Sequence, residues 1–189
     1  YEVQLTQLSC IVIKYDFDSN TFSEIESYNK KIKLTPDTLS NIKNTRIKKV
    51  LSFNHYGEKG IKFHDESDSL SDFNSFINKY ENSILVIQNA KFDMSFLNTR
   101  NKSIKFNLPC LKKLSETNIE YQNLATKIGT SDRDNGLISS SLSKIGPALG
   151  INMSGYHDAL TDCKLMMKMF IEMIKFLKEN KSLDISKYQ

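Results

Sequence analysis

Asp162 falls three residues after Ala159 and four before Met166, in a segment whose apolar residues recur at helical spacing. Its carboxylate therefore sits on the apolar face of that helix. A carboxylate there is costly to bury unless it pairs with a cation or binds a metal. A buried ion pair to a lysine and a metal site both fit the position. His157 lies just ahead of the same helix, in Gly155-Tyr156-His157-Asp158-Ala159-Leu160-Thr161-Asp162. A histidine there could cap the helix, or stand at the end of the element that carries Asp162 inward. Asp93 follows the apolar run Ile84 to Ile87 through Gln88-Asn89-Ala90-Lys91-Phe92. Folds of the α/β class place their sites just beyond the ends of such strands. The same acid would equally suit the first turn of a helix, where the dipole favours it.

The elements that must position these residues alternate loosely between strand and helix, which predicts an α/β fold. Residues 3–13 read as a strand that becomes apolar at Ile11-Val12-Ile13. Asp16-Phe17-Asp18-Ser19-Asn20 is turn chemistry, and Phe22 to Leu34 reads as a returning strand ended by Pro36, so a β-hairpin opens the sheet. Thr38 to Val50 is a short helix or a loop, and His55 to Asp65 a loop broken by Gly57 and Gly60. Ser69 to Tyr80 is a helix, with Ser69 and Asp72 resembling a capping box. Residues 84–88 form a short buried strand, and a helix follows from Phe92 to Thr99. Residues 115–141 are polar and resist assignment, with a loop at Asp132-Arg133-Asp134-Asn135-Gly136. Leu142 to Leu149 is helix-like, with Gly146-Pro147 set to distort it. The strongest helix runs from Asp158 to Glu179, with Ala159, Cys163, Met166, Phe170, Met173, Ile174 and Leu177 on its apolar face.

Two segments carry a family likeness. Asn89-Ala90-Lys91-Phe92-Asp93-Met94-Ser95-Phe96-Leu97 resembles the second motif, N-x-x-F-D-x-x-F-L, of the DEDD superfamily of 3′–5′ exonucleases. His157-Asp158-Ala159-Leu160-Thr161-Asp162 resembles its third motif, H-x-A-x-x-D, in the histidine-bearing (DEDDh, DnaQ-like and RNase T-like) form. The two occur in the family's order. Leu142-Ser143-Lys144-Ile145 to Leu149-Gly150-Ile151 also resembles the helix between them. The resemblance covers residues 1–178 and implies a ribonuclease H-like mixed sheet flanked by helices, in a single exonuclease domain over 1–189. It implies that Asp93 and Asp162 are metal-binding acids and that His157 is the general base. The implied cofactors are two Mg²⁺ or Mn²⁺ ions, since hard oxygen ligands favour them over zinc. The implied substrate is a single-stranded or frayed 3′ end of DNA or RNA, cut to nucleoside monophosphates. Phe92 and Phe96 are expected in the core, with flanking of a terminal base as the alternative.

The family's first motif, D-x-E on a first strand, supplies two more acids. If residues 3–13 correspond to the family's second strand and Phe22 to Leu34 to its third, that pair is expected just upstream of Tyr1. Residues 1–189 would then lack a central strand and supply two of four metal ligands, leaving them inactive or poorly folded by themselves. An alternative places the motif at Asp16 and Asp18. A different class of function, a catalytically inactive copy of the fold that binds nucleic acid or a protein partner, would follow from a true absence of D-x-E.

Composition narrows the rest. The 189 residues are 39% hydrophobic and 25% charged, a globular rather than a disordered balance. No apolar run approaches the roughly 20 residues of a bilayer span, so no membrane partner is expected. A net charge of +4 permits a nucleic-acid partner without demanding one. The lysines at 30, 31 and 33, and the group Lys43, Arg46, Lys48 and Lys49, are local concentrations of that charge. Cys10, Cys110 and Cys163 are far apart and odd in number, which argues against a disulfide framework or a zinc ribbon. An intracellular, reducing compartment is expected.

Overall fold

A computed structural model of the chain describes residues 4–43, 45–53, 55–104, 114–128, 141–155 and 157–180. The opening hairpin is present: β1 (Gln7–Asp16) pairs antiparallel with β2 (Thr21–Ile32), in register from Gln7 opposite Lys31 to Asp16 opposite Thr21. A register shift between Val12 and Ile13 marks a bulge. The turn is built as its residues demand. Asp16 Oδ1 accepts the backbone N–H groups of Asp18 (2.8 Å) and Ser19 (3.0 Å), and Asn20 takes φ +53°. The first strand is displaced from the expected 3–13 because its partner continues to Thr21, which carries the ladder past the apolar run to Asp16.

β2 also pairs parallel with β3 (Phe63–His64), inside the segment expected to be loop. Nothing local announces a two-residue strand; the Lys33 N–H, bonded to the His64 carbonyl at 2.8 Å, and the fully buried Ile32 beside it hold it there. Between β2 and β3 stand two helices, α1 (Pro36–Asn41) and α2 (Thr45–Phe53). Pro36 does end β2's run, and it also opens α1 at its first position, where a missing N–H costs no helical bond.

Helix α3 (Glu66–Asn78) begins three residues before the periodicity suggests. Its cap is Asp65, whose Oδ1 accepts the Ser67 (2.8 Å) and Asp68 (3.4 Å) N–H groups, and not Ser69. Ser69 is fully buried in the first turn; its hydroxyl bonds the Asp65 carbonyl and its own carbonyl takes the Tyr28 hydroxyl at 2.6 Å. Leu70, Phe73, Phe76 and Ile77 of α3, with Leu97 of α4 (Ala90–Ile104), cover Leu8, Cys10 and Val12 on one face of β1.

The other face of β1 is covered by α7 (Ala159–Glu179). Its first turn meets Gln7, the Cys163 thiol donates to the Ser9 carbonyl at 3.5 Å, and Phe170 and Ile174 pack on Tyr15 and Phe17. At its far end Lys178 bonds the Phe17 carbonyl, so α7 runs alongside β1 in the same direction. Behind it lie α5 (Thr117–Ile128) and α6 (Leu142–Ala148), joined to α7 through Leu124, Ile145, Met169, Met173 and Leu177. A helix packed on two sides needs a broad apolar surface, which is why Leu165, Met169 and Ile171 are buried beyond the expected stripe.

A second sheet, β4 (Leu85–Ile87) parallel to β5 (Leu114–Glu116), lies under the same helix. Ile84 and Val86 touch the Phe170 and Ile174 side chains that also cover Tyr15 and Phe17. Among the described residues β1 and β4 are not paired with each other. The fold is thus mixed α/β, with a small mixed sheet of three strands beside a parallel pair. The loop expected at Asp132 to Gly136 lies outside the described residues.

Because Asp65 alone supplies the side-chain cap of α3, Asp65→Ala should cost about 1 kcal/mol, the usual worth of an N-cap, in a urea titration. A loss close to zero would return the cap to Ser69.

Candidate active site at the head of the last helix

The approach to α7 is set by the way α6 ends. Leu149 is its C-cap, Gly150 takes φ +75°, the Gly150 N–H bonds the Pro147 carbonyl (3.0 Å) and the Ile151 N–H bonds the Gly146 carbonyl (2.9 Å). This is a Schellman ending, with Ile151 packed into the core beside Ile145. Leu149-Gly150-Ile151 therefore has a purely mechanical reason to be there. The chain then passes through Gly155, at φ +78°, to His157, at φ +87°. A non-glycine residue in that region is strained by about 1 kcal/mol or more. The His157 N–H donates to Asp162 Oδ1 at 3.0 Å and holds the strained residue in place.

Asp158, not His157, caps α7. Its Oδ1 accepts the N–H (3.1 Å) and hydroxyl (3.2 Å) of Thr161, while Lys31 Nζ stands 3.9 Å from Oδ2. Burial pushes this carboxyl up, but the bonds from Thr161 and Gln7 and the charge of Lys31 outweigh it and hold the group below its ordinary range. Asp162 is half-buried in the first turn, its N–H bonded to the Asp158 carbonyl at 2.8 Å. Burial raises its pKa, only partly offset by the His157 N–H and ring. Among the described residues no lysine or arginine pairs with it.

Asp93 lies in the first turn of α4, with the Phe92 (2.9 Å) and Asp93 (3.3 Å) N–H groups on the Asn89 carbonyl. Solvent reaches it, yet enough protein surrounds it that desolvation raises its pKa. Phe92 is 59% exposed and meets Phe96 edge to face at 5.0 Å, so its expected place in the core is corrected. Ala90, Met94 and Leu97 define the inward face of α4, and Phe92 is half a turn away from them.

Carboxylates of both α4 and α7 act on Cys163 through their charge. Its thiol is pushed up to about 12, by burial first and then by Cys10, Asp162, Asp93 and Asp158. Asp93 and Asp162 thus both lie within electrostatic reach of Cys163. Asp16 and Asp18 do not join them. They occupy the hairpin turn next to Lys178, sixteen residues along α7 from Asp162, about 24 Å at the helical rise. Among the described residues no group of three or more His, Cys, Asp and Glu side chains could hold a metal ion. The oxygen donors of Asp93 and Asp162 suit a hard divalent cation in kind, and fall short in number.

One residue that touches this machinery carried no sequence signal beyond its parity: Gln7, an amide on the strand whose Tyr15 packs on α7. A scan against models of known protein families finds no match, and a search of curated proteins finds none. No helix among the described residues is long and apolar enough to cross a membrane.

Two measurements check the local physics. His157→Gly and His157→Ala delete the same ring, but only glycine relieves the positive φ. The glycine variant should therefore be the more stable of the two by about 1 kcal/mol, against the usual order. Asp162→Asn keeps an acceptor for the His157 N–H and removes a desolvated charge. Because the folded-state pKa is raised, Asp162 favours folding below its unfolded pKa, and that contribution is lost as pH rises through the folded value. The variant should thus melt higher than the natural protein at pH 7, with the difference shrinking as the pH is lowered into the carboxylate range. A difference that grows on acidification would reverse the assignment.

Proposed function

We propose that the protein is a metal-dependent 3′–5′ exonuclease that releases nucleoside monophosphates from single-stranded or frayed 3′ ends of DNA or RNA. The observation that supports this reading is that Asp93 and Asp162, in the first turns of two helices, both lie within electrostatic reach of Cys163, and that desolvation disfavours each as an anion. A cation relieves that penalty, and Mg²⁺ or Mn²⁺ is the class that carboxylate oxygens select. Bound divalent ions supply the charge that stabilises the attacking and leaving oxygens of phosphodiester hydrolysis.

In this reading the chain's own groups have distinct tasks. Asp93 and Asp162 hold the ions. His157 takes the proton from the attacking water, a role for which imidazole suits neutral pH. Its backbone bond to Asp162 would keep base and ligand in fixed relation. The exposed Phe92, with Phe96 behind it, offers a face on which a terminal base can stack. A catalytically inactive binding module is the second reading, and the shortfall of ligands among the described residues favours it.

A 3′-labelled single-stranded oligonucleotide with Mg²⁺ or Mn²⁺ separates the two. Asp93→Asn and Asp162→Asn should each abolish nucleotide release while the fold survives. His157→Ala should lower turnover by about 10²–10⁴-fold, the ordinary contribution of general acid–base catalysis. Unchanged turnover in Asp162→Asn sinks the exonuclease reading; binding without hydrolysis in either metal promotes the module.

A further inference from the structure

We propose that Gln7 is a positioning residue whose side-chain amide fixes the first turn of α7, and through it Asp162 and His157, against the β1–β2 hairpin. The inference rests on the roles just given to those two residues. Gln7 is 9% exposed, and both its amide N–H groups and its oxygen are bonded. Nε2 donates to Asp158 Oδ2 (3.0 Å) and to Asn29 Oδ1 (2.9 Å), and Oε1 accepts the Ala159 N–H (3.1 Å). Turned over, the amide would set oxygen against two oxygens and N–H against N–H, so the three bonds admit one orientation.

Each bond has a structural consequence. The Ala159 N–H is among those that a helix leaves without an internal partner, and the strand supplies its acceptor. The bond to Asp158 engages the cap oxygen that Thr161 does not use. Asn29, which also accepts the Ser9 hydroxyl at 2.8 Å, extends the tie to β2. The Asp162 N–H hangs from the Asp158 carbonyl and the Asp162 carboxylate holds the His157 N–H. A displacement of the cap therefore moves ligand and base together. Gln7 acts through Asp158 and Ala159. Only a side chain of this length with both donors and an acceptor can do so: methionine keeps the shape and loses every bond, and glutamate keeps the acceptor and loses the donors.

The test compares the natural full chain with Gln7→Met, Gln7→Glu, and Gln7→Glu combined with Asp158→Asn, which exchanges donor and acceptor across the contact. Amide hydrogen exchange is read by NMR at His157 and Ala159 and along the β1–β2 ladder, and kcat and KM are read on the labelled oligonucleotide. In Gln7→Met, exchange at His157 and Ala159 should quicken about tenfold, the equivalent of one net hydrogen bond, while the ladder stays within about twofold. The kcat should fall about tenfold with KM nearly unchanged. The reciprocal pair should recover most of what Gln7→Glu alone loses, as coupled partners do. Uniform quickening of all amides, unchanged exchange at His157 and Ala159, or no recovery in the reciprocal pair would each overturn the proposal. Should Gln7→Met fail to fold, recovery or its absence in the reciprocal pair decides. If the natural protein releases no nucleotide with either metal, the exonuclease reading fails, and the exchange comparison still decides the role of Gln7.

Discussion

Asp158 divides its carboxylate between two tasks, and the rest of the site hangs on that division. One oxygen closes the first turn of α7 on Thr161; the other faces the hairpin, where Gln7 and Lys31 approach it. A capping carboxylate ordinarily settles only where a helix begins. Here it also settles where that helix begins relative to a strand far away in sequence. The bonds it receives outweigh its burial, so it stays charged where its neighbour Asp162, with fewer donors, is pushed the other way. Two carboxylates four residues apart thus take opposite characters from their surroundings: one is a fastener, the other a group whose burial disfavours its charge.

What the sequence made legible were the features encoded locally. The hairpin turn is written in Asp16 to Asn20, and the last helix in the spacing of Cys163, Met166, Phe170 and Met173. Asp162 declared itself by breaking that spacing, and His157 and Asp93 by standing at the ends of elements. The features that escaped depend on distant partners. The strand at Phe63 exists because β2 is there to pair with it, and the cap of α3 lies at Asp65 because Ser69 is drawn under Tyr28. Phe92 read as core because its type is apolar; which face of α4 turns inward is decided by Ala90, Met94 and Leu97 meeting α3 and the hairpin. Gln7 could not be told from any polar strand residue until the helix cap was set against it.

The broad apolar surface of α7 follows from its place between layers. Phe170 and Ile174 face the strands, while Met169, Met173 and Leu177 face α5 and α6. Methionine adapts to such irregular surroundings better than branched side chains do. The close seat of Met153 against Gly146, where an added Cβ would lie 2.1 Å from the sulfur, lets the chain fold back on α6 and reach His157.

The contact between Gln7 and Asp158 spans 151 residues, and this has a consequence for the growing chain. At synthesis rates of about 5–20 residues per second, the hairpin waits on the order of ten seconds for its second cover. The α3 side of β1 can close early, since its partners follow within the next stretch of chain. The side bearing Tyr15 and Phe17 stays uncovered by α7 until the residues of that helix emerge. During that interval the nascent protein offers an apolar sheet face, the kind of surface that chaperones bind.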